Sequence, residues 1–109
     1  EVRGVYYGNE YIGIVFNSTQ GNHRYRLDVY HKSGAFQQSI EFDIEYTNIL
    51  FHEDQIIIHN ESECCIYNNK GIQKYDGMFN KSALVLIPLS GHYRYMVVTP
   101  DSIDTIELK

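Results

Sequence analysis

The chain has 109 residues, 14 acidic against 9 basic side chains, and a formal net charge of −5. Its 43% hydrophobic and 21% charged residues make the composition of a folded protein, and this length holds one domain at most. The scattered basic residues exclude a phosphate backbone as the natural partner, and the longest apolar stretch, Ala83 to Leu89 broken by Pro88, falls short of the about 20 residues of a spanning helix.

Strands are expected along the whole chain, since ten tyrosines, five phenylalanines and only two prolines suit a pleated, half-buried surface. Gly4 to Tyr7 reads as a short strand closed by Gly8-Asn9, and Tyr11 to Phe16 as a strong one closed by a polar loop from Asn17 to His23. Arg24 to Tyr30 alternates cleanly, with Tyr25, Leu27 and Val29 on one face and Arg24, Arg26 and Asp28 on the other. Lys32-Ser33-Gly34 forms a turn, and a polar strand follows from Ala35 to Phe42. The next group is more compact: Tyr46 to Phe51, Gln55 to Ile58, Glu63 to Tyr67 and Ile72 to Asp76, with turns at His52-Glu53-Asp54, Asn60-Glu61-Ser62 and Asn69-Lys70-Gly71. A last group holds Ala83 to Ile87, a turn at Ser90-Gly91, Tyr93 to Val98, a turn at Thr99-Pro100-Asp101, and Ile103 to Leu108.

One pattern occurs twice. Val29-Tyr30-His31-Lys32-Ser33-Gly34 is echoed by Ile66-Tyr67-Asn68-Asn69-Lys70-Gly71, an offset of 37 residues that also carries Phe42 onto Phe79. A period of this size in a strand-rich chain points to an all-β, antiparallel, β-propeller-like array of about three small four-stranded sheets, with units at 1–43, 44–80 and 81–109. A β-sandwich is the alternative. Apolar runs such as Ile56-Ile57-Ile58 and Leu84-Val85-Leu86-Ile87 favour the array, because strands buried on both faces belong where successive sheets stack. Under three full units cannot close a ring. The expectation is that further units lie outside the chain, which begins Glu1-Val2-Arg3 without a methionine, or that the piece self-associates through exposed sheet edges.

Tyr25-Arg26-Leu27-Asp28-Val29-Tyr30, Phe42-Asp43-Ile44-Glu45-Tyr46-Thr47, Cys65-Ile66-Tyr67 with Gly71, and the closing segment from Tyr95-Met96-Val97-Val98 to Ile106-Glu107-Leu108-Lys109 resemble the C-terminal part of an uncharacterised bacterial family of the Clostridia type. The resemblance implies a propeller-like extracellular domain behind an N-terminal membrane anchor, and hence a place on the outer face of a bacterial membrane. It implies no catalytic residue and no cofactor.

Candidate chemistry is sparse. Cys64 and Cys65 are adjacent, so in a strand they point to opposite faces and do not bond each other, and their acidic neighbours disfavour a reactive thiolate. His52-Glu53-Asp54 and the His59 to Glu63 segment hold metal-ligand residue types, but both fall at expected turns and lack the paired spacing of a metal site. Glu41, Asp43 and Glu45 recur at period two at the end of a rim strand, where solvent is the natural partner. Tyrosine is the strongest functional cue: Tyr6, Tyr7, Tyr11, Tyr30 and Tyr67 are the candidate binding residues, with a protein contact favoured over a sugar platform because tryptophan is absent. The same rings serve equally as packing residues, above all Tyr30 and Tyr67 at equivalent repeat positions. The expected function is a non-enzymatic cell-surface binding or scaffolding module; the alternative is part of a hydrolase-type propeller enzyme whose site lies in other blades.

Overall fold

Eleven antiparallel strands, arranged as three separate up-and-down sheets, make up the computed structural model, which describes residues 1–19, 21–91 and 93–108. Sheet 1 holds β1 (Val2–Tyr7), β2 (Tyr11–Asn17), β3 (Tyr25–His31) and β4 (Phe36–Phe42). Sheet 2 holds β5 (Asn48–His52), β6 (Gln55–His59), β7 (Glu63–Asn68) and β8 (Gln73–Met78). Sheet 3 holds β9 (Val85–Pro88), β10 (Arg94–Val98) and β11 (Ile103–Glu107). In each sheet the spatial order of the strands follows their order in the chain, and none closes into a barrel. Three sheets, rather than the two of a sandwich, carry the all-β fold. Gln20 of the expected polar loop, His92 after the Ser90-Gly91 turn and Lys109 of the closing segment lie outside the described residues.

The apolar runs explain why the sheets stack. In β6 successive side chains leave on opposite faces, so Ile56 and Ile58 meet sheet 1 while Ile57 meets sheet 3. Ile57 and Ile58 are both 0% exposed. One buried cluster joins Val15, Leu27, Val29 and Ile40 of sheet 1 to Ile49, Ile56, Ile58 and Tyr67 of sheet 2. A second joins Ile57, Cys64 and Ile66 of sheet 2 to Leu86, Tyr95 and Val97 of sheet 3. Sheet 2 is therefore covered on both faces, while sheets 1 and 3 each keep one outer face without a cover among the described residues.

The repeat is visible in backbone detail. Both β3–β4 and β7–β8 carry a register shift at the same place, Val29/Tyr30 and Ile66/Tyr67. Both turns end in a left-handed glycine, Gly34 at φ 96° and Gly71 at φ 82°, a conformation that a side chain would strain. The side chain opening each turn accepts a backbone N–H two residues on: Ser33 N to His31 Nδ1 at 3.1 Å, and Lys70 N to Asn68 Oδ1 at 2.9 Å. A histidine and an asparagine thus play one role in the two copies.

Close approach of sheet 1 to sheet 2 depends on a missing side chain. A Cβ at Gly13 would stand 2.8 Å from Phe51 Cζ and 2.9 Å from Leu27 Cδ1. Gly13→Ala is expected to cost about 1–3 kcal/mol through overpacking. Urea unfolding measures this, and adding Phe51→Leu should return part of the loss, since the clash is shared by the two positions.

Candidate functional site

The five candidate tyrosines fall into two groups. Tyr6, Tyr11 and Tyr67 turn into the space between sheets 1 and 2, where Tyr67 is 8% exposed and the other two pack against the same apolar cluster. Tyr6 meets the Tyr46 ring edge-on at 6.2 Å, and Tyr11 lies 6.1 Å from both the His31 and Phe51 rings. Tyr7 and Tyr30 stand on the opposite, outer face of sheet 1, in register across β1, β2 and β3 through Ile12. Tyr7 is 76% exposed, and Tyr30 packs edge-on against Phe36 at 5.5 Å. The structure thus brings only Tyr7 and Tyr30 to a common solvent-facing surface.

A polar and aromatic cluster occupies one rim, where the chain passes from sheet 1 to sheet 2. The rings of Tyr25, Phe42 and Tyr46 contact one another at 5.2–5.6 Å, and the Arg3 guanidinium lies 5.1 Å over Tyr25. Tyr25 donates its hydroxyl to Glu45 Oε1 at 2.9 Å, and Arg24 pairs with the same carboxylate oxygen. These two contacts hold the Glu45 carboxyl below its usual range, the tyrosine hydrogen bond first. Burial, then the bond to Glu45, raises the Tyr25 phenol. Alongside, Asp43 takes His23 Nδ1 at 2.8 Å and the Arg24 backbone N–H at 2.9 Å. The His23 contact lowers the Asp43 carboxyl and raises the imidazole. Acids and bases here compensate one another, which suits a latch holding residues 43–46 to sheet 1 rather than a poised acid–base pair. The sequence pointed at Asp43 and Glu45; it did not single out Arg3, Arg24 or Tyr46, whose side-chain pairings Arg3 with Tyr46 and Arg24 with Glu45 join residues 43 and 21 apart.

The thiols are inert. Cys64 is buried toward sheet 3, Cys65 lies on the other face of β7, and both are free. Desolvation, followed by nearby acidic and thiol groups, pushes each up to about 12, so neither supplies a thiolate near neutral pH. Among the described residues no group of three or more His, Cys, Asp or Glu is arranged to hold a metal ion.

An open, mainly apolar cleft of about 390 Å³ lies between β8 and sheet 3. Tyr75, Met78 and Phe79 form one wall and Val97, Ile106 and Leu108 the other, with Lys81 and Asp104 beside them. No sequence signal marked it, because its walls are apolar residues that read as ordinary strand positions.

A family model described as a family of unknown function, DUF5711, matches residues 1–108. The chain belongs to the DUF5711 family. No curated protein and no solved structure matches it. For this DUF5711 chain the match extends over all three sheets, so the outer faces, the rim latch and the cleft all lie within the family's domain.

One buried group makes stability depend on pH. His59, 5% exposed, makes no hydrogen bond of normal geometry at either ring nitrogen, and burial, opposed in part by the Asn60 backbone beside it, lowers its imidazole from the ordinary 6.5. Because the unfolded chain takes up the proton first, the stability associated with neutral His59 is complete above pH 6.5 and lost as pH falls below it. Val98 occupies the register-equivalent position in sheet 3. His59→Val is expected to stabilise the protein by about 1–3 kcal/mol, by removing an unsatisfied buried polar group. The gain over the parent should widen from pH 7.5 to pH 5.5 in urea titrations; a pH-independent gain would contradict the assignment.

Proposed function

We propose that this chain is a non-enzymatic binding and scaffolding module, a segment of a propeller-type array whose two outer sheet faces are its main interaction surfaces. The observation that carries this reading is a correspondence between a free face and a buried one. The residues that sheet 2 turns toward sheet 1 are Ile49, Phe51, Ile56, Ile58, Cys65 and Tyr67. Aligning the sheets by strand register sets against them Val5, Tyr7, Ile12, Ile14, Asp28 and Tyr30 on the outer face of sheet 1. All but Asp28 are apolar or aromatic, so most of this face of sheet 1 is the kind of surface that sheet 2 uses to stack. The far face of sheet 3 is similar, with Val85, Ile87 and Ile103 exposed together beside Met96 and Val98. Large exposed apolar faces of this sort mark interaction sites.

Two further features support the reading. Between strands of different sheets, the backbones of β1 and β5, the first strands of their sheets, come into contact, as in sheets that fan outward from an axis. Those first strands carry mainly aliphatic and aromatic residues, where a catalytic propeller would place carboxylates or histidines. The proposed setting, the outer face of a bacterial membrane behind an N-terminal anchor, rests on the resemblance of segments such as Tyr25–Tyr30 to an anchored family. No helix among the described residues is long and apolar enough to cross a membrane.

Light scattering across a dilution series tests the end faces. The chain, 12.7 kDa as a monomer, is expected to associate at high micromolar concentration and to dissociate on dilution. Val5→Lys with Ile87→Lys should leave a monomer throughout, since each places a charge in one stacking face. A parent chain that is monomeric at every concentration would overturn the reading.

A further inference from the structure

The two inter-sheet interfaces answer a proton in opposite ways. His59 belongs to the one between sheets 2 and 3. It pairs across β6 and β7 with Cys64, directly opposed residues share a face, and Cys64 lies in the buried cluster with sheet 3. Cys64 is 0% exposed, so both side chains stay out of water while these sheets are closed. The side chains packed beside the imidazole are neutral. Asn48 is its partner on β5, Cys64 on β7 keeps its proton, and Leu86, Val97 and Tyr95 close the space from sheet 3. Burial raises the Tyr95 phenol, and that of Tyr75 on β8, away from ionisation. Of the acids nearby in the chain, Glu61 takes the Ser82 hydroxyl at 2.8 Å and Glu63 leaves β7 on the opposite face. His52 and Glu53 lie at the far end of β5. The Asn60 backbone favours the charged ring, and burial outweighs it.

The joint between sheets 1 and 2 carries a histidine of the other kind. His23 meets Asp43 at 2.8 Å, Glu41 also favours its charged form, and Arg24 beside it is taken up by Glu45. Protonation therefore tightens the 43–47 segment on sheet 1. The same segment is fastened to sheet 2, where Asn60 donates to the Glu45 carbonyl and Thr47 N to the His59 carbonyl at 2.8 Å. His23 adds stability that is complete below pH 6.5 and lost as pH rises through its raised value. That of neutral His59 is complete above pH 6.5 and lost below it. We propose that the joint between sheets 2 and 3 is released by acid: as pH falls, sheet 3 parts from sheet 2 at His59 while sheets 1 and 2 stay together. Parting sheet 3 wets the imidazole and breaks few polar ties, chiefly Tyr95 to Gln55 and the Glu61 contacts with Ser82 and Ala83. Opening sheet 1 instead would leave the imidazole buried and break the latch that protons strengthen. Both joints lie wholly between strands of this chain, so the response does not depend on what flanks it.

Cys64 is a built-in reporter, because the opening that wets His59 also uncovers its thiol. The test follows labelling of Cys64 by dithiodipyridine in dilute Cys65→Ser protein, which leaves one thiol. The serine hydroxyl can bond Asp76 as the Cys65 thiol does, and as Ser39 bonds Asp28 in sheet 1. Rates are divided by that of an unstructured thiol peptide at the same pH, and NMR amide exchange of β3 in the same protein reports global unfolding. From pH 7.5 to pH 5.5 Cys64 labelling is expected to speed by about tenfold, the limit set by an exposed imidazole at its ordinary value. Cys64 should also be less protected than the β3 amides, which marks a partial opening. Adding His59→Val should remove the acceleration and leave the protein folded. Labelling that does not change with pH would overturn the proposal, as would acceleration that survives His59→Val. Equal protection of Cys64 and the β3 amides at pH 5.5 would also overturn it, because the proton would then enter only with global unfolding.

Discussion

Burial of both faces of sheet 2 is the constraint on which the rest of the structure depends. A sheet with one wet face needs only alternate apolar residues, but β6 presents Ile56, Ile57 and Ile58 in sequence and excludes water from all three. That run has no stable place in a single sheet or at the surface of a two-layer stack. It requires a neighbour on each side, and sheets 1 and 3 are those neighbours. The glycines of β2 and its preceding turn follow from the same demand, because Phe51 reaches into the space that side chains at Gly8 and Gly13 would occupy.

Polar groups inside this stack are few and mostly matched. Tyr95, wholly buried in sheet 3, donates its hydroxyl to the buried Gln55 side chain of sheet 2, so its polar tip has a partner across the interface. At the rim, Asn60 donates to the Glu45 carbonyl at 2.7 Å and ties the β6–β7 turn to the segment entering sheet 2. His59 departs from this pattern. Its position in sheet 3 is held by valine, and it leaves two ring nitrogens unsatisfied inside the protein.

Much of this architecture was legible in the chain because the local signals agree. Tyr30 and Tyr67, with Gly34 and Gly71 four residues on, mark the third strand and turn of each sheet, and the both-face apolar runs call for stacked sheets. The repeat of the first two strands was hidden. Val5 and Ile49, Ile12 and Ile56, Ile14 and Ile58 are equivalent at an offset of 44 residues, since the loop after β2 is longer than the loop after β6. The fate of each tyrosine was not legible either: Tyr6 and Tyr7 are neighbours in one strand, yet one faces the core and the other solvent. Which face meets a neighbour depends on sheet order, and pattern alone does not carry that. The rim latch and the cleft escaped for a related reason, since Arg3 meets Tyr46, and Phe79 and Leu108 come to line one cleft, only after the sheets are packed.

Hydrogen exchange resolved by residue tests the central claim most directly. If sheet 2 is the doubly covered centre of the stack, amides of β6 and β7 exchange last, at the rate set by global unfolding, and β1 and β11 exchange well before them. Protection of β6 no greater than that of β1 or β11 would contradict the account, because it would mean that the middle sheet is not held from both sides.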